Sequence, residues 1–375
     1  MSFQNCKILC TGADSEKYHA DPIGEDGKII RRGDMGFPIS SSVLRDFAAC
    51  PKAWRDGKMA SESKAMRYGS LLDCLALTPE QFDQRYAVIP PTYSSEVMEC
   101  PRCGSQTDSK ACRACKCDRI PKIIEKEWSW LSKTCQQWRE AQGSLICVSD
   151  NPSEDGRPSM LMECRAAAAK LRSDPVAGPW GECSDKQVWI QGEWKDEETK
   201  LVIPVRCLID YVPSADSVYG SSAGDLKSSR SVMQYDWEKD MGERKYDIQA
   251  AWNLDMLNVA NGEQVDPDGL NTRSSFCFVV SENVFPYQVG HKDLDPEDLK
   301  EARTWYVQQM HNYCLCVKTG RWPGPDETSD SRADGWTCSH VPQWVKNRRA
   351  FEPKFNFEPP EPKEPYQMVP SDMPS

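Results

Sequence analysis

Arg206-Cys207-Leu208-Ile209-Asp210 ends an apolar run on a carboxylate, and Gly224-Asp225-Leu226-Lys227 places a second carboxylate two residues before a lysine. Two carboxylates at the ends of neighbouring strands, beside an ammonium, suit a Mg²⁺ (or Mn²⁺) ion that activates water against a phosphodiester. Mg²⁺ is a hard cation that takes oxygen ligands and keeps several waters. Asp210 and Asp225 supply two oxygens. The Leu226 carbonyl, pointing opposite to the side chains that flank it, supplies a third. Lys227 falls on the same strand face as Asp225, where its ammonium can hold the attacking water and stabilise negative charge growing on the phosphate. Read alone, Asp-x-Lys is as easily two surface aspartates and a solvated lysine. The upstream strand-terminal Asp210 gives the pattern its metal-binding logic.

The elements that must position these groups follow from periodicity. Val202, Pro204, Arg206, Leu208 and Asp210 share one face of a strand over 202–212, and Pro213-Ser214-Ala215-Asp216 separates it from a strand over 221–227. A further strand is expected over 186–194, a helix carrying Gln249, strands near 275–281 and 285–290, and a long helix opened by Asp295-Pro296-Glu297-Asp298 and running to about Val317. Towards the N-terminus, Ser41 or Ser42 caps a helix to about Lys58, and a buried helix spans Met66 to Ala76, with a shorter one after Pro79. Ile123, Ile124, Trp128, Leu131, Cys135 and Trp138 recur at helical spacing and predict a helix over 121–141, its tryptophans packing rather than stacking on bases; Met160 to Leu171 reads as another. Residues 1–37 are polar and read as a loose arm. From Phe351 the Glu-Pro and Pro-Pro steps read as a disordered tail.

Length and composition bound the class. The chain has 375 residues, 39% of them hydrophobic, and a formal net charge of -11, with a mean hydropathy of -0.65. That is enough for a substantial core with large polar surfaces. No run approaches the ~20 apolar residues of a membrane helix, and the start lacks the organisation of a signal peptide, so a cytoplasmic protein is expected. The acidic balance argues against a basic DNA-coating protein. It is compatible with a local basic groove, for which Arg45, Lys52, Arg55, Lys58, Lys64 and Arg67 are candidates. These could track phosphates or line a solvated helix face. With only four histidines, catalysis built on histidine is a poor fit.

Eighteen cysteines need an account. In a reducing compartment they are reduced or metal-bound rather than bridged. Cys100-Pro101-Arg102-Cys103 and Cys112-Arg113-Ala114-Cys115 are two Cys-x-x-Cys knuckles around a short polar loop, a spacing that closes a tetrahedral structural Zn²⁺ site; Cys117 could replace Cys115. The segment 96–118 has no core of its own, so the ion would supply its folding energy. Cys74 and Cys207 read as small buried residues.

These blocks also carry a resemblance. The chain resembles the PD-(D/E)XK nuclease superfamily, and within it the phage-type exodeoxyribonuclease VIII (RecE-like) branch. The likeness runs in family order from Ile39-Ser40-Ser41-Ser42-Val43-Leu44, through Tyr68-Gly69-Ser70-Leu71-Leu72-Asp73 and Leu77-Thr78-Pro79-Glu80-Gln81-Phe82, to Asp210 and Asp225-x-Lys227. It continues through Tyr246-Asp247-Ile248-Gln249-Ala250-Ala251-Trp252, and ends at Trp322-Pro323 and Pro342-Gln343-Trp344, covering roughly 38–348 apart from the cysteine insertion. The resemblance implies that Asp73 is an additional metal ligand, at a place where the family often has His, and that Gln249 projects from its helix to orient a phosphate or water. Four residues after Gln249, where the family often has Tyr, this chain has Asn253.

The fold expected is therefore α/β, a central mixed β-sheet flanked by helices (a restriction-endonuclease-like nuclease core) over 38–350, with a small zinc-knuckle insertion. The resemblance implies 5′→3′ digestion of linear duplex DNA to leave 3′ single strands for phage-type recombination or repair. It also implies a ring-like homo-oligomer and a single-strand annealing partner. Two alternatives stay open. One is an iron–sulfur nuclease of the Cas4 and AddB type, using Cys50, Cys314, Cys316 and Cys338. The other is a catalytically idle, zinc-bearing DNA- or protein-binding module of a recombination complex.

Overall fold

The computed structural model describes residues 2–324 apart from 25, 58–62, 108, 154 and 267–270, together with residue 327. All but the last belong to Met1–Gly324, one of two compact units; the other is Pro325–Ser375. Cys338, Pro342-Gln343-Trp344 and the expected tail from Phe351 lie outside the described residues.

In chain order the elements are β1 (Ser2–Cys10), α1 (Ser15–His19), α2 (Ser41–Ala49), α3 (Pro51–Arg55), α4 (Lys64–Leu77), α5 (Phe82–Arg85), β2 (Tyr86–Ile89), β3 (Thr92–Glu99), β4 (Gln106–Thr107), β5 (Ile120–Glu127), α6 (Lys133–Ala141) and β6 (Ile146–Ser149). Then come α7 (Met160–Ser173), α8 (Ala177–Glu182), β7 (Ser184–Lys195), β8 (Val202–Pro213), β9 (Ser222–Ser229), α9 (Gln234–Arg244), α10 (Tyr246–Ala260), β10 (Ser275–Glu282), β11 (Val289–Asp293) and α11 (Pro296–Thr319). The centre is a six-stranded mixed sheet in the order β1-β7-β8-β9-β10-β11. Only β9 and β10 run parallel. Helices flank it, as the sequence leads one to expect.

Two cores hold this layering. One gathers Ile203, Val205, Cys207 and Ile209 of β8 with α2, α10 and α11. The other gathers Tyr211, Leu226 and Val279 with α4, α7 and α8. The simple alternation read along β8 therefore shifts phase between Ile209 and Tyr211. Within the first core α10 is bolted to α11 by a buried ion pair. Arg303 Nε lies 3.1 and 3.0 Å from the two Asp255 oxygens, and the Tyr306 hydroxyl donates to Asp255 at 2.6 Å. Asp295 caps α11 by accepting from Glu297 N at 2.8 Å, where the sequence places that start.

Three expectations are corrected. Residues 1–37 are not a loose arm where they are described: β1 pairs with β7 from Ser2↔Lys195 to Cys10↔Trp189. Phe3 is buried in edge contact with Trp194 and Trp252, at ring separations of 5.1 and 4.9 Å. A polar-looking segment with one well-placed aromatic becomes an edge strand because β7 offers it a partner, a tertiary cause that composition hides. The helix capped near Ser41 stops at Ala49. Its cap is Ser40, and Pro51 forces Cys50 into an extended conformation before α3. The helix over 121–141 is instead β5, a turn and the shorter α6. Pro121 and the β-branched Ile120, Ile123 and Ile124 suit a strand, and β3 supplies its antiparallel partner from Thr92↔Glu127 to Glu99↔Ile120. The cysteine insertion is thereby an arm that runs from Thr92 to Glu127, longer than 96–118. Trp128 packs edge-on against Trp130 and Trp138 beside it, at 5.5 and 5.0 Å.

Asp255→Ala should cost about 3–5 kcal/mol of unfolding free energy, since it leaves a buried guanidinium unpaired. Denaturant unfolding of the full chain checks this, and a midpoint matching the unsubstituted protein would show that α10 is held by apolar packing alone.

Candidate active site

The site is built on a failure of strand pairing. β8 and β9 share one ladder bridge, Tyr211↔Gly224. Upstream of it β8 finds other partners: Ile39 pairs across Pro204 and Arg206, with N···O distances of 2.9 Å in both directions. Trp252 Nε1 and Asn253 Nδ2 of α10 donate to the Arg206 and Leu208 carbonyls at 3.2 and 3.4 Å. Downstream of Gly224, β9 keeps β10 on one side from Ser222 to Ser229. The two strands thus splay, and the gap must satisfy its own polar groups. Asp210 does so, its Oδ2 accepting from Leu226 N at 2.8 Å. The N–H and C=O of one strand residue point to the same side, so the Leu226 carbonyl opens onto the same gap.

Gln187 holds the other oxygen of Asp210, its Nε2 donating to Oδ1 at 2.8 Å. It sits opposite Asp210 in the β7–β8 ladder, which is otherwise regular from Ser184↔Pro213 to Lys195↔Val202. Its backbone has φ +50°, a region uncommon for residues other than glycine. Sequence reasoning missed it. The signal was available only as its position across from Asp210, three residues before Ile190 in an unremarkable strand.

Asp225 uses one oxygen on Gln249 Nε2, at 3.0 Å, and the other on the Lys227 ammonium. Gln249 comes from the first turn of α10, so the helix that closes β8 also orients the β9 carboxylate. Lys227 lies 4.8 Å above the Tyr246 ring. Burial works against its charge, but Asp225, then Tyr246 and Asp210, outweigh burial and raise its pKa. Asp73 reaches the same cavity from α4. Burial pushes it up to about 7, with the Asp225 charge adding to the rise against Lys227. Asp210 is raised well above the usual carboxylate range by burial, then by the charges of Asp225 and Asp73. Three carboxylates therefore share one cavity with Lys227 and Arg45.

That surplus of negative charge, on an all-oxygen donor set, fits a hard divalent cation. Asp210, Asp225 and the Leu226 carbonyl are the groups that would hold it. Asp73 lines the same cavity, but among the described residues the three aspartates do not bring their oxygens close enough together to form a metal-ligand set. The four cysteines Cys100, Cys103, Cys112 and Cys115 do so with their sulfurs, and could hold a metal. Cys50, Cys314 and Cys316 are not gathered in this way; Cys314 and Cys316 are buried in the apolar core, where burial raises their thiols to about 12 and 11.

The carboxylates lie midway along a trough. Their own cavity, about 230 Å³, also admits Ser15, Tyr18 and His19 of α1 and Arg45 of α2. At one end it shares Ser15, His19 and Ser70 with a cavity of about 370 Å³ that holds Arg67 and Arg85. At the other it shares Asp73, Leu226 and Lys227 with one of about 740 Å³ that holds Arg230, Lys239 and Arg244 together with Asp236 and Asp240. The basic cluster expected before Gly69 is divided accordingly. Arg45 enters the site and donates to the Arg244 and Lys245 carbonyls. Arg67 enters the trough. Lys52 pairs with Asp56 at 2.5 Å, and Arg55 stacks 5.0 Å over Trp322. Lys58 lies outside the described residues. The α1 contribution, His19 above all, was hidden by reading 1–37 as an arm. Burial, then Arg206 and Arg85, lowers the His19 pKa.

No protein-family model matches the sequence, and no curated protein matches it. Among solved structures, a candidate exonuclease from Eubacterium rectale is similar over 82% of this chain and 92% of its own, with 12% identity and a TM-score of 0.42. Candida albicans Rai1 in complex with pU5-Mn²⁺ has a TM-score of 0.22 and 10% identity over 76% and 67% of the two chains. Scheffersomyces stipitis Rai1, in complex with (3′-NADP)⁺ and a calcium ion, has 0.23 and 9% over 84% and 83%. Likenesses this slight carry no argument about function, which rests on the site itself.

Gln187→Ala should weaken Mg²⁺ or Mn²⁺ binding by about 10- to 100-fold, the usual effect of removing a group that orients a metal ligand. Calorimetric titration of the full chain checks it; an unchanged affinity would mean that Leu226 N alone fixes Asp210.

Proposed function

We propose that the chain is a metal-dependent nuclease that hydrolyses DNA phosphodiesters. The observation that carries this is the splayed β8–β9 gap, where Asp210, Asp225, Lys227 and Gln249 converge on one oxygen-lined cavity midway along a trough that has arginines at both ends, with Asp236 and Asp240 beside them at one. A nucleic-acid strand has the charge and length for such a trough, and its phosphates need no base-specific contact there.

The bound divalent ion would polarise a phosphoryl oxygen and lower the pKa of a water. The residues of the chain do the rest. Asp210 and Asp225 present oxygens in orientations set by Gln187, Leu226 N and Gln249. The Lys227 ammonium, held on Asp225, is placed to orient the attacking water and to meet charge developing on the phosphate. Asp73 adds negative charge to the cavity and would be a further ligand. Arg45, Arg67 and the Arg230, Lys239 and Arg244 group would steady the strand on either side.

The finer reading follows the family resemblance: an exodeoxyribonuclease acting 5′→3′ on ends of linear double-stranded DNA, leaving 3′ single strands for recombination or repair. A ring-like homo-oligomer would enclose the duplex, and a single-strand annealing protein would receive the product. No helix among the described residues is long and apolar enough to cross a membrane, and a cytoplasmic site of action suits a DNA substrate.

Folded Asp210→Ala, Asp225→Ala and Lys227→Ala proteins should each lose Mg²⁺-dependent DNA degradation, and Asp73→Ala should lose less. Near-normal activity in Asp225→Ala would reject the assignment. End-labelled linear duplex should be degraded while covalently closed circles are spared; equal rates on both would leave an endonuclease in place of the exonuclease.

A further inference from the structure

The cysteine arm is not used by the trough, yet its two turns repeat one local geometry. Its two Cys-x-x-Cys turns have the same hydrogen bonds at the same offsets. Gly104 N donates to Cys100 O at 2.9 Å and Lys116 N to Cys112 O at 2.8 Å; Cys100 N donates to Ser105 O at 3.0 Å and Cys112 N to Cys117 O at 2.9 Å. Gly104 and Lys116, the residues that follow the second cysteine of each turn, both have positive φ, +68° and +50°. Glycine adopts that conformation freely, but lysine does so at a cost, so the second turn has been bent into the shape of the first. In both turns backbone N–H groups donate to the first cysteine's sulfur, those of Arg102 and Cys103 to Cys100 and that of Cys115 to Cys112.

We infer that the arm is closed by one structural Zn²⁺ bound to Cys100, Cys103, Cys112 and Cys115, with Cys117 outside the ligand set. A tetrahedral site with Zn–S of ~2.3 Å separates its sulfurs by ~3.8 Å. Cys103 and Cys112 stand 3.7 Å apart, and all four sulfurs lie within 4.8 Å of one another. The two turns decide which cysteine completes the set. Their pseudo-symmetry matches Cys100 with Cys112, Cys103 with Cys115, and Ser105 with Cys117. The matched outer residues do the same thing crosswise. The Ser105 hydroxyl, 3.2 Å from Cys103 Sγ of its own turn, lies 3.7 Å from Cys112 Sγ, and Cys117 Sγ lies 3.4 Å from Cys100 Sγ. Each can donate a hydrogen bond to the first thiolate of the opposite turn, which disperses charge on a four-thiolate ion. Ser105 is no thiolate ligand, and by symmetry neither is Cys117.

The arm needs the ion. β3, β4 and β5 form a separate three-stranded sheet, and β5 has one residue, Ile124, that is even half-buried. Cys100 and Cys112 are nearly inaccessible, 1% and 2% exposed, in a segment with almost no apolar cover. Thiolates drawn together without a cation would repel, and zinc binding then doubles as folding.

Elemental analysis of the purified full chain, with single substitutions, tests this. The expected result is about one zinc per chain, kept in Cys117→Ser and Ser105→Ala and lost in Cys100→Ser and Cys115→Ser. Hydrogen exchange should then show loss of protection confined to 92–127 in the zinc-free variants, while the central sheet stays protected. Zinc kept in Cys115→Ser and lost in Cys117→Ser would overturn the ligand set. A chain that carries no zinc, or iron with acid-labile sulfide, would overturn the site. Neither result depends on nuclease activity, so failure here and failure of the catalytic assignment are separately visible.

Discussion

The hydrogen bond from Leu226 N to Asp210 stands where a sheet would ordinarily place another strand's carbonyl. A backbone N–H in a buried gap needs an acceptor, and leaving it unpaired costs ~1–3 kcal/mol. Here the acceptor is a side-chain carboxylate, held 2.8 Å from the nitrogen. The consequence is double. The sheet remains satisfied although β8 and β9 part company after one bridge, and a negative charge is fixed beside the next carboxylate along β9. Regular pairing continued from Tyr211↔Gly224 would set Asp210 across from Asp225, but main-chain hydrogen bonds would then fill the space between the strands. The cavity exists because the ladder stops.

The rest of the molecule keeps that gap from closing or collapsing. Ile39 and α10 occupy the β8 edge up to Leu208, so β9 cannot zip along it. Asn253 is one of those occupants, which accounts for a polar residue at a place where the resembling family often carries tyrosine. The α10 helix reaches in with Gln249, while Asp255, two turns further on, anchors it to α11 through Arg303 and Tyr306. Burial of these charged groups is expensive, and their mutual bonds offset it. Across the sheet, α4 brings Asp73 from the second core. Two independently packed layers thus deliver carboxylates to one space, a donor set that suits a hard divalent cation.

Much of this was legible in the sequence because local rules sufficed. An apolar run ended by Asp210, a turn, and Asp225-x-Lys227 specify two strand ends, and the structure brings Gln249 to the same carboxylate. The cap at Asp295 and the spacing of the two cysteine turns were equally plain. What stayed hidden depended on distant partners. Phe3 makes β1 a strand only because Trp194 and Trp252 await it. Gln187 gains its role from lying across from Asp210, with a backbone conformation that no composition reveals. Ile123 and Ile124 satisfied a helical spacing by coincidence, and β3 resolved it. Basic residues close in sequence between Arg45 and Arg67 went to different places, since α2, α3 and α4 point them apart.

The edge strand β1 sets an order of events when the chain is made. Ser2–Cys10 is made long before its hydrogen-bonding partner, Ser184–Lys195, and β10 and β11 follow later still. The helices and the cysteine arm can form from neighbours, whereas the central sheet closes only across long loops, the slow kind of contact. Until β7 emerges, Phe3 and the unpaired edge around it stay open to other partners. The gap between β8 and β9 therefore takes shape only once β7, β8, β9 and α10 have all been made, and none of its side chains can be held in place before then.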